Sequence, residues 1–175
     1  MKKRLSLLLM AFILLMPTTI FAAPDNTNNT SSAGVTAKDE EALPQKLQDL
    51  QAYADMLTPI EAYETTALKA YQKYPMVTTS NRKDVYSSLT NAVIPNYKKV
   101  VTMVSKVKAP NAELQSIHNL MIKGSQLQLE GFTLLKEAVY KKKSLAPANN
   151  KLEAGRKLVN QYTVKINEYV DKYSN

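Results

Sequence analysis

The sequence predicts an all-α fold, an up-down-up-down four-helix bundle. Three observations predict it. Apolar residues recur every three or four positions through most of the chain, no strand-like alternation persists beyond a few residues, and the links between periodic segments are short. Short links make consecutive helices antiparallel neighbours. No repeat of ~30–50 residues is visible, which excludes a solenoid.

The chain begins with a segment that belongs to no bundle. Met1, Lys2, Lys3 and Arg4 form a basic start, Leu5 to Met16 is an apolar run too short to anchor, and "PTTIFAA" offers small residues for cleavage. This is the pattern of a secretory signal peptide spanning residues 1–22, cut after Ala22, with Ala23 the second choice. Residues 23–38 are expected to be a disordered tether. Pro24 to Ala37 is polar and nearly uncharged, and it has too little apolar surface to offset its ordering entropy. Residues 39–175 are expected to form the bundle.

The first helical region runs from about Pro44 to Tyr74. Thr58, Pro59 and Glu61 form a start signal in its middle: Thr58 can cap, Pro59 suits the first helical position and Glu61 completes a capping box. A kink or a break near Pro59 is expected. The second helix spans Ser80 to Lys108, with Tyr86, Leu89, Val93, Tyr97, Val100, Val104 and Val107 on its face and a kink at Pro95. The third runs from Pro110 to Lys143. Ile117, Met121, Gly124, Gly131, Leu135 and Ala138 share one face, flanked by Leu120, Leu127 and Leu134. In the last helix, started by Pro147, Leu152, Gly155, Val159, Tyr162, Ile166, Tyr169 and Tyr173 alternate at spacings of three and four.

Composition narrows the function classes. Cysteine is absent, which removes disulfides, a lipid-modified cysteine, Cys-ligated zinc and covalent haem. No LPxTG-like sorting motif closes the chain, and no second long apolar run follows the leader. The product is therefore expected to be secreted or extracytoplasmic, with no transmembrane segment after cleavage. An exported chain without cysteine and with a short basic leader points to a bacterium. No nucleophile–base pair, phosphate loop or metal-ligand spacing is present, so an enzyme is not expected and no cofactor is assigned.

Charge is uneven along the chain. Ala23 to Glu64 holds eight acids against two bases, whereas Thr65 to Asn175 holds eighteen bases against seven acids. In an up-down-up-down bundle, one end collects Lys69, Lys73, Arg82, Lys83, Lys141, Lys142, Lys143, Lys151, Arg156 and Lys157, against Asp84, Glu137 and Glu153. Such an end would attract phosphate-rich polymers or headgroups, such as anionic lipid or teichoic acid at the cell surface. Ten tyrosines, several beside lysine, could stack on sugars or polyanions, but most fall on the apolar stripes. Export and the lack of recognition motifs argue against a nucleic-acid partner.

The only histidine opens the alternative reading. His118 and Ser125 lie at one edge of the third helix's stripe and Gln128 near its middle, so a small polar pocket between helices is possible. Met103 and His118 stand at comparable distances on either side of the Ala109–Pro110–Asn111 turn. They could face each other across a b-type haem. The competing explanation is a polar seam that fixes helix register. A di-metal carboxylate centre is excluded, because it needs Glu-x-x-His on two helices. Gly124, Gly131 and Ala138 repeat every seven residues and are read as a close-packing seam.

The stretch "VIPNYKKVVTMVSKVKAPNAELQSIHNLMIKGSQLQLEGFTLLKEAV", with "NNKLEAGRKLVNQY" after it, resembles small exported helical-bundle proteins of Gram-positive, spore-forming bacteria. In these a "P-N-Y" segment precedes "A-P…E-L…I-H" and a later "K-L…G-R-K-L" helix. The resemblance covers about half the chain. It implies a host and an architecture, and brings no activity and no site residue.

Overall fold

The computed structural model describes residues 44–174. The expected signal peptide, the tether and the first few residues of the expected domain lie outside the described residues. Of the described residues, 83% are helical and none is in a strand. Four helical rods account for them.

The first rod is α1 (Gln45–Gln72). Helical backbone continues through Pro59, so of the kink or break expected there, the break does not occur. Thr58 does not cap a new helix. Its hydroxyl donates back to the Ala54 carbonyl at 3.3 Å, as a mid-helix threonine does. Pro59 removes one ladder bond, but it and Asp55, whose carbonyl loses that donor, are both exposed to water. Leu57 and Ile60, buried on either side, hold the two halves on the core.

The second rod has three parts: α2 (Arg82–Ser88), a π-helical segment (Leu89–Val93) and α3 (Ile94–Val104). Pro95 falls in the first turn of α3, where its missing donor matters least. The Asn96 side chain donates to the Ala92 carbonyl of the π segment at 2.8 Å. Thr90 Oγ1, in the same segment, is buried with no hydrogen-bond partner among the described residues.

The third rod is α4 (Ala112–Lys141). Pro110 was the expected first residue; instead Asn111 caps the helix and its side chain accepts from the Leu114 N–H at 3.0 Å. The rod ends at Lys142, which adopts the left-handed conformation with φ 53°. The Lys143 N–H then reaches back to the Ala138 carbonyl at 2.9 Å, closing a Schellman-type end. The fourth rod is α5 (Ala146–Tyr173), with Pro147 in its first turn as expected.

The core follows the stripes. Leu89, Val93, Tyr97, Val100 and Val104 of the second rod are buried, as are the six expected face residues of α4. On α5 the expected residues from Leu152 to Tyr169 are buried, and Tyr173 packs partly buried against them. The most extensive helix–helix contact is α4 on α5. There the glycine seam is real. A Cβ on Gly155 would stand 2.7 Å from the Gly124 carbonyl oxygen and 2.6 Å from Gln128 Cγ. A Cβ on Gly131 would strike the Leu152 side chain at 2.7 Å.

Candidate functional site

The core buries Glu64, His118, Ser125 and Gln128 among its apolar side chains. His118 is fully buried. The Tyr53 hydroxyl donates to its Nδ1 at 2.8 Å, and Nε2 faces the Val104 carbonyl at 2.9 Å. A carbonyl can only accept, so Nε2 carries a proton, and burial favours the neutral ring, in which Nδ1 accepts from Tyr53. Burial lowers the His118 pKa, while the Val104 carbonyl works the other way. Tyr53 also pairs with the Tyr162 hydroxyl at 3.3 Å. Burial raises the Tyr53 phenol and pushes Tyr162 up to about 12.

The four candidate pocket residues divide among separate partners. His118 joins α1 and α3, through Tyr53 and Val104. The buried Gln128 accepts from the Tyr97 hydroxyl through its Oε1, a bond between α4 and α3. Ser125 donates to the Ile122 carbonyl of its own helix at 3.0 Å. Met103 packs, partly buried, against the core. A haem iron or a polar ligand at His118 would have to replace the Tyr53 or the Val104 bond.

Glu64 was not singled out in the sequence. It is 2% exposed, in the core-facing stripe of α1. Burial pushes its carboxyl up to about 8, and nearby Glu61 adds to the shift. The Glu64 carboxylate in turn adds to the burial that raises Tyr97 and Tyr162. At neutral pH it is therefore mainly the uncharged acid. The spacing Leu50, Tyr53, Leu57, Ile60, Glu64, Ala67 was the available signal, because it puts the glutamate among apolar residues.

The two ends of the rods differ. At one end Asn111 donates to Asp49 at 2.8 Å and to the Tyr169 hydroxyl at 3.0 Å, and Tyr169 donates to the Lys46 carbonyl at 3.1 Å. Glu113 there holds Lys172 at 3.0 Å and Tyr173 at 2.8 Å. These bonds join the start of α1, the start of α4 and the end of α5.

At the other end, Arg82 donates to the Val139 carbonyl at 3.0 Å, Ser88 donates to the Ala70 carbonyl at 2.9 Å, and the Tyr86 and Tyr140 rings lie 5.4 Å apart. The end of α1, the start of α2 and the end of α4 therefore meet. Of the ten bases expected there, Arg156 and Lys157 instead follow Gly155, which packs on Gly124 midway along α4; three of the ten are paired, Lys141 with Glu137 at 3.4 Å, Lys151 with Glu130 at 3.0 Å, and Arg156 with Glu153. Lys69, Lys73, Lys83, Lys142, Lys143 and Lys157 make no ion pair among the described residues.

The same end holds a half-open cavity of about 300 Å³. Tyr71, Tyr74, Val77, Val85, Leu89 and Leu135 supply most of its apolar wall. The sequence did not indicate it, because the loop after α1 closes one side. Asn81 shapes that loop: its side chain accepts from the Thr78 N–H and donates to the Met76 carbonyl, both at 2.8 Å. Met76 is left 71% exposed beside the opening.

Comparison with family models, curated proteins and solved structures found no match. Among the described residues no helix is long and apolar enough to cross a membrane, and no group of three or more His, Cys, Asp or Glu side chains could hold a metal ion.

Proposed function

We propose that this chain is an exported, non-catalytic helical-bundle protein that adheres to anionic cell-envelope surfaces through its basic end. The reading takes the four rods as an up-down-up-down bundle, bent near Pro59 and Pro95, delivered by the signal peptide and spaced from its leader by the tether. The observation that carries it is the contrast in charge pairing. One end joins Asp49 and Glu113 to hydrogen-bond and ion-pair partners, whereas Lys69, Lys73, Lys83, Lys142 and Lys143 at the other end have no acid partner among the described residues.

Attraction of ~1 kcal/mol per Lys near an anionic membrane, within a Debye length of ~8 Å, would hold the protein reversibly. Anionic lipid and teichoic acid offer the same phosphate chemistry. Sedimentation with phosphatidylglycerol vesicles and with wall fragments tests the reading. Changing Lys141, Lys142 and Lys143 together to Gln should weaken binding ~10- to 100-fold, and added salt should weaken it further. A wild-type protein that ignores both surfaces at low ionic strength would end the reading.

A further inference from the structure

The cavity at the basic end has a division of labour. Its interior offers hydrocarbon and aromatic surface, from Tyr71, Val77, Val85, Leu89 and Leu135 among others. Two of its polar side chains are engaged or peripheral. The Ser88 hydroxyl is bound to the Ala70 carbonyl at 2.9 Å, and Asn149 is exposed. Positive charge lies around the wall. The Lys73 ammonium sits 5.5 Å from the centroid of the Tyr74 ring, itself a wall residue. The volume is at the lower limit of small-molecule sites, ~300–1,000 Å³, and suits one chain rather than two.

We infer that the cavity binds the hydrocarbon tail of a single-chain anionic amphiphile, a fatty carboxylate, with the head group at the opening beside Lys73. The inference rests on the reading of this end as an anion-facing surface, and gives that surface a ligand class. A largely apolar wall would select the tail, and Lys73 would select the sign of the head. The exposed Met76 thioether at the opening is an adaptable surface for the part of a tail that projects out.

Titration calorimetry with dodecanoate, below its micelle concentration, tests this on the chain from residue 23 onward, the form that the expected cleavage leaves. Dodecyltrimethylammonium and acetate serve as probes of the head and the tail. Dodecanoate should bind saturably at one per chain, and the other two should not. Val77→Trp fills the cavity from its loop side, where folding is least at risk; it should weaken dodecanoate by at least about tenfold and leave vesicle sedimentation unchanged. Lys73→Gln keeps the cavity and should weaken dodecanoate less. Equal binding of the cationic and anionic probes would overturn the inference, as would wild-type affinity in Val77→Trp. Vesicle binding without dodecanoate binding sinks this inference alone, and loss of both sinks the adhesion reading as well.

Discussion

The contact of α4 with α5 and the contacts α1 makes with the rest of the core are built by opposite means. Between α4 and α5 the backbones approach until Gly124 and Gly155 lie against each other, and no side chain could be added. Around α1 the space is filled by long side chains with polar tips: Tyr53 on His118, and Glu64 near Tyr97 and Tyr162. The first interface gains dispersion from close contact and tolerates no added volume. The second depends on hydrogen bonds and on protonation, so pH reaches it. A bundle with one pH-blind and one pH-dependent interface should loosen first around α1.

The largest expected effect breaks the close seam. Gly155→Val puts a Cβ where the Gly124 carbonyl and Gln128 already stand, and should cost ~3 kcal/mol or more, or prevent folding. Urea denaturation monitored by circular dichroism reads this, and wild-type stability would show that the seam can open.

The next removes the charge from the α1 side. Glu64 has its carboxyl raised to about 8 in the folded state against an ordinary 4.5. Above 4.5 the unfolded chain loses this proton while the folded chain keeps it, so stability falls as pH rises and levels off above about 8. Glu64→Gln should therefore stabilise the protein at pH 8–9, by on the order of a few kcal/mol, and change little near pH 4. Parallel pH profiles of the two proteins would refute this.

A third change tests the other polar contact. His118→Phe leaves the Val104 carbonyl without its donor and frees the Tyr53 hydroxyl, for a loss of ~1–3 kcal/mol. The His118 pKa is lowered, so the folded chain refuses a proton that the unfolded chain takes up below about 6.5. Wild-type stability should therefore fall on acidification below that pH, and the variant should lack that His118 contribution. The smallest effect lies where α4 leaves the seam. Lys142 has positive φ, and Lys142→Gly should stabilise by ~0.5–1 kcal/mol, read as a small rise in melting temperature.

The four helical segments were legible because each stripe is local: apolar spacing decides which face turns inward. Glu64 was less visible because charge suggested solvent, although Ile60 and Ala67 at helical spacing placed it on the inner face. The start signal at Thr58 failed because the buried Leu57 and Ile60 hold the helix on the core through a local stop. His118's partners and the cavity needed distant segments, one 65 residues away and the other a loop folded by Asn81, and no local pattern encodes them.

The π segment has a consequence for length. Val85, Leu89, Val93 and Tyr97 are all buried, and successive members are four residues apart. In a regular helix each such step overshoots a full turn by ~40°, so three steps would carry the stripe ~120° around the rod, about one residue's worth. The wider turn at Leu89–Val93 absorbs that surplus residue. The segment thus behaves as an insertion that the helix has accommodated. Loss of one residue between Leu89 and Val93 would return the rod to ordinary winding with both flanks facing as before, so this is where the second rod best tolerates a shorter chain.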